Sequence, residues 1–176
     1  MRSLRPLLAS SLLLFTWACG GSDPSEEIDS GYSSLSSGAH SEALASFQSA
    51  LANMTATDGK FLEAKVGELS ALCYIDAQKA REGLVSLGME AGVQPAHFRT
   101  LVDELVAAAT KLASTSADDA GHTINEAVAI LTHGKETFPG YEKWDALINK
   151  VGDKAKALGN ADALATLKGL GYVGDD

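Results

Sequence analysis

Apolar residues along this chain recur three and four positions apart, which is the spacing of one face of an α-helix. Phe98, Leu101, Val102, Leu105, Val106, Ala109 and Leu112 give the clearest case. Leu62, Val66, Leu69, Leu72 and Cys73 form a second stripe, and Trp144, Leu147, Ile148 and Val151 a third. No segment shows sustained alternation with β-branched enrichment, so strands are not expected. Capping and breaking residues divide the pattern into eight helices. They are expected at 24–37, 41–54, 60–75, 77–87, 95–112, 122–137, 141–158 and 161–170, with 114–121 as a polar linker. Asp23 and Pro24 suit the start of the first helix, with Glu26 completing a capping-box arrangement. Asp76 and Asn160 suit the starts of the fourth and eighth. Gly88, the Phe138-Pro139-Gly140 run and Gly159 mark helix ends. The fold class is therefore all-α, in a single elongated domain.

A second pattern lies over the first. Ala43, Phe47 and Ala50 sit at i, i+4 and i+7, so one helix face reads small, large, small. Such a face lets a neighbouring helix approach closely at two points and fills the gap between them. The spacing returns at Ala80/Leu84/Leu87, Ala127/Leu131/Gly134 and Ala163/Leu167/Leu170. The interval is roughly forty residues, the size of one helical hairpin that cannot bury its own apolar face alone.

With Gly31 and Gly38 added, the first of these units resembles a tetratricopeptide repeat (TPR). Gly31, Gly38, Ala43, Phe47 and Ala50 fall where that family places its small and aromatic residues. The third unit adds Phe138-Pro139 near the family's closing proline, while the first has Thr55 there and the second lacks the turn glycine. The resemblance covers 24–171 and implies antiparallel helical hairpins stacked as a short TPR-like solenoid. It also implies a concave groove lined by the first helix of each hairpin. Carried over by position, Tyr32, Lys65 and Leu69 are groove residues for a protein partner. Phe47, Phe98 and Trp144 sit on apolar stripes and are expected in the core.

The first eighteen residues differ from the rest. Arg2 and Arg5 precede an uncharged apolar run, Leu7 to Ala18. That run is too short to span a bilayer comfortably and suits the apolar core of an export signal. Thr16-Trp17-Ala18-Cys19-Gly20-Gly21-Ser22 resembles the cleavage box of bacterial lipoproteins. The resemblance implies a signal peptide at 1–18, lipid attachment at Cys19 and a flexible tether at 19–23. It places the protein on a membrane of the bacterial cell envelope, facing the periplasm or the exterior. Acyl chains on a terminal cysteine hold a protein by apolar burial. Ordinary signal cleavage after Ala18 is the alternative. Residues 172–176 read as a loose acidic tail.

Charge and candidate chemistry narrow the function classes. The formal net charge of the 176-residue chain is −9. It becomes more negative if Arg2 and Arg5 leave with the signal. Phosphate binding needs clustered lysine and arginine, so nucleic acid is not an expected partner. The four histidines, His40, His97, His122 and His133, include no i, i+4 pair and no His-Glu-x-x-His, so no metal and no cofactor is expected. No Gly-x-Ser-x-Gly elbow and no phosphate-cradling glycine loop occurs. Cys73 sits on an apolar stripe and reads as a small buried hydrophobe. The sequence thus leads to a membrane-tethered, non-enzymatic module for protein–protein interaction or scaffolding. A helical binder of a small molecule is the alternative.

Overall fold

The computed structural model describes residues 23–174 except 89 and 91. The signal, Cys19 and most of the tether lie outside the described residues. Eight helices account for most of the described chain: α1 (Pro24–Ser37), α2 (His40–Ala52), α3 (Phe61–Leu72), α4 (Ala77–Leu87), α5 (Pro95–Leu112), α6 (Ala117–Thr137), α7 (Trp144–Leu158) and α8 (Ala161–Leu170). There is no strand among the described residues.

The caps explain most boundaries. The Asp23 carboxylate accepts the Ser25 N–H at 2.9 Å, and Pro24 opens α1 without wasting a donor. Gly38 ends α1 in the left-handed region (φ 82°), where a side chain would be strained. Asp76 accepts the Lys79 N–H at 3.1 Å at the start of α4, and Asn160 accepts the Ala163 N–H at 3.1 Å at the start of α8.

α2 ends at Ala52 rather than Met54 and α3 at Leu72 rather than Ile75; two further boundaries differ from the sequence reading for clear reasons. The expected linker 114–121 is half helix, because α6 begins at Ala117. Ser116 Oγ accepts the Asp119 N–H at 3.2 Å, and Asp118 and Asp119 complement the positive end of the helix dipole. The polar residues taken for a loop are a cap and a first turn. α7 begins at Trp144 rather than Tyr141. The preceding turn accepts the Trp144 indole N–H on the Phe138 carbonyl at 2.8 Å. The acidic tail also needs correction at its first residue. Tyr172 is buried, its ring lying where a Cβ on Gly152 would stand, and exposure begins at Val173.

The helices pack in chain order. Each meets its successor, and each meets the helix after that, except that α2 and α4 do not touch. Among the described residues no helix backbone packs against that of a helix further away along the chain.

The leading alanines of the recurring pattern, Ala43, Ala80, Ala127 and Ala163, are all buried, as are Phe47, Leu84, Leu131 and Leu167. Phe47 shows why that face needs small neighbours. Its ring fits between Gly31 of α1 and Gly67 of α3; a Cβ on Gly31 would lie 2.7 Å from the ring, and one on Gly67 closer still. Three helices thereby close on one aromatic side chain, whose burial is worth about 1.5–3 kcal/mol.

The core is divided. The smaller part holds Ile28, Ala43, Phe47, Ala50, Ala64 and Ala71, from α1, α2 and α3. The larger runs from Val66, Leu69 and Cys73 of α3 through α4–α8 to Tyr172. Ala64 and Ala71 lie on one side of α3. Val66 and Cys73, each two residues on, lie about 200° round the helix. α3 is thus apolar on opposite sides and forms the wall between the two parts.

Candidate functional site

The turns inside the hairpins, at 38–39, 73–76, 113–116 and 159–160, carry the N-termini of α2, α4, α6 and α8. Around the second turn the side chains form an ordered cluster. Tyr74, just past α3, lies flat against His40 at the start of α2, with ring centroids 3.8 Å apart and planes 4° apart. Its hydroxyl donates to Glu104 Oε2 of α5 at 2.7 Å. Lys111, about two turns further along the same face of α5, holds its ammonium 4.8 Å from the Tyr74 ring centroid and 3.3 Å from His40 Nε2. Next to Tyr74, the Cys73 thiol is buried and lies 3.8 Å from the Leu101 carbonyl.

Two surface hollows share Tyr74 and the exposed Ile75. One, about 340 Å³, lies toward the first turn and is lined by Gly38, Ala39, His40 and Glu42. The other, about 330 Å³, reaches α6 and is lined by Asp76, Gln78, Asp119 and His122. Ile75, about half exposed, stands between them.

The electrostatics keep the thiol and the phenol of this cluster neutral. Burial, followed by the charge of Glu104, raises the Cys73 thiol pKa, so it stays protonated. Burial and the Glu104 hydrogen bond raise the Tyr74 phenol in the same way. His40 shifts downward, through burial and then the Lys111 ammonium, with Glu104 acting against them. Near neutrality the imidazole is uncharged. A lysine ammonium can donate but not accept, so Nε2 is the acceptor and Nδ1 carries the proton. That Nδ1–H is buried without a partner. Among the described residues no group of three His, Cys, Asp or Glu side chains is arranged to hold a metal ion.

Of the three residues expected in a shared groove, Lys65 and Leu69 line one hollow, and Tyr32 lies elsewhere. Tyr32 is edge-on to Phe47 at 5.0 Å and donates its hydroxyl to the Glu63 carbonyl at 3.2 Å, at the seam of α1 and α3. Lys65 is about 160° round α3 from the Glu63 position that Tyr32 contacts. It pairs with Glu68 at 2.8 Å and lines a hollow of about 310 Å³ between α3 and α4. Leu69 floors that hollow but is itself buried, against Gly83. Tyr32 and Lys65 thus serve different faces, and Leu69 is a core residue at a groove margin. Cys19 lies outside the described residues. The sequence reading missed the cluster at Tyr74. Its members come from three helices, and His40 and Lys111 are 71 residues apart, a pairing that no local periodicity encodes.

No family model, no curated protein and no solved structure matches this chain.

Proposed function

We propose that this chain is a lipid-anchored envelope protein whose helices form a short TPR-like solenoid, and that it acts as a non-enzymatic docking module for a protein partner. The strict chain order of helix packing carries the reading. Helices that meet only near neighbours leave long edges and faces open, and such surfaces are what hairpin stacks use for binding. The docking surface in this reading is the turn edge around Tyr74 and Ile75, in place of a groove through Tyr32 and Lys65. The paired hollows are at the low end of the size of small-molecule sites and suit one or two partner side chains each. Among the described residues no helix is long and apolar enough to cross a membrane. Attachment in this reading rests on acyl chains at Cys19.

The test separates anchor from edge. Cells expressing the full chain or Cys19→Ala are fractionated after feeding a clickable fatty acid. The full chain should carry label and sediment with membranes, and Cys19→Ala should lose both. Equal sedimentation of the two would overturn the anchor. A photo-crosslinking residue at Ile75 should give a discrete adduct that the same residue at exposed Lys168 does not. Matching patterns from the two positions would overturn the edge.

A further inference from the structure

His40, Tyr74 and Lys111 tie parts of the stack that have no backbone contact. α1 and α2 pack on α3, and neither meets α5. The link from the first hairpin to α5 runs through side chains: Lys111 of α5 reaches His40 Nε2 and approaches Gly38, across the Tyr74 ring. We propose that this triad is an acid-sensitive latch, closed when His40 is neutral and opened when His40 takes a second proton, so that the first hairpin loosens from the rest of the stack at mildly acidic pH.

The donors set the behaviour of the latch. In the closed state the ammonium points a hydrogen at a ring lone pair. Protonation of Nε2 consumes that lone pair and leaves two cations at 3.3 Å. An imidazolium could gain from the tyrosine face, but Lys111 already lies by that ring. The charged groups facing His40 are Lys111 and Glu104 from α5, and Glu42 from its own helix, which lines the same hollow. Tyr74 from α3 is neutral and committed to Glu104. α1 brings no charge here, its acids Glu26, Glu27 and Asp29 lying in its first half. Glu104 opposes the shift of His40, but its carboxylate is shared with the Tyr74 hydroxyl. The net effect on His40 is downward.

The sign is then fixed. A histidine whose folded pKa lies below its ordinary value contributes stability above that ordinary value, near pH 6.5. The contribution is lost as pH falls through that value toward the depressed folded one. The neutral imidazole is thus the form the closed latch selects.

The test follows His40 by NMR in the full chain and reads hydrogen exchange over 40–52, corrected for intrinsic rates. Between about pH 7.5 and pH 5, wild-type protection in this segment should fall, while that of α6 holds. In His40→Gln, which can still accept from Lys111, the drop should vanish. Lys111→Met should raise the His40 pKa toward its ordinary value, burial still holding it down. The proposal fails if His40 titrates at or above that value in wild type, or if His40→Gln shows the wild-type drop. Should His40→Gln fail to fold, the wild-type titration and its response to Lys111→Met still decide. None of these readouts depends on a partner, so the latch can fail while the docking reading stands.

Discussion

Gly67 carries more of this structure than its lack of a side chain suggests. A methyl there meets the Phe47 ring, which Gly31 confines from the other side. Gly67→Ala should destabilise the protein by about 1–3 kcal/mol through overpacking, even though alanine is the better helix former. Denaturant melts of the single variant and of Gly67→Ala with Phe47→Leu check it, because the smaller partner should recover part of the loss. Cys73 makes the opposite point. Its thiol is buried and its pKa raised, so it should resist a thiol reagent at mildly alkaline pH in the folded protein and react once denatured. Fast labelling of native protein would contradict that assignment. Phe47, Phe98 and Trp144 were legible as core from spacing alone, and all three are buried. The role of Gly67 was not, because its partner lies in another helix.

Among the elements, one side chain ties the start of α8 to α6. Asn160 caps α8 with its carbonyl, while its amide donates to the Gly121 carbonyl and to Asn125 Oδ1, both at 2.9 Å. Asn160→Ala removes a cap and both amide bonds to α6. It should cost about 2 kcal/mol, measurable as a fall in the thermal midpoint. Asn160→Asp keeps the cap but not the amide donors, and should fall between. The sequence showed Asn160 as a cap, since capping is local. It could not show the reach to α6, which depends on how two hairpins stack. The same limit explains the start of α6. Ser116 and Asp119 are legible as a cap, but they lie in a polar run that also suits a loop. The tertiary burial of Ala120 decides between the two.

Across the whole molecule, chain-order packing and the divided core set the order of unfolding. The smaller core is mostly alanine around Ile28 and Phe47, and the larger holds nearly all the leucine, isoleucine and valine. In denaturant, exchange protection over α1 and α2 should disappear at a lower midpoint than that over α5–α7. A single shared midpoint would show the two parts to be one cooperative unit. The all-α character, the helix number and the burial of the recurring alanines followed from periodicity. The faces on which Tyr32 and Lys65 emerge did not, because they depend on how each hairpin turns about α3. The two-sided nature of α3 also has a mechanical meaning. A load applied at Asp23 reaches the smaller core before the larger one. α1 and α2 should then peel away as a pair, with Phe47 sliding out between glycines that offer little to grip. What remains is a shorter stack faced by Ala64, Gly67 and Ala71, an apolar wall left without its cover.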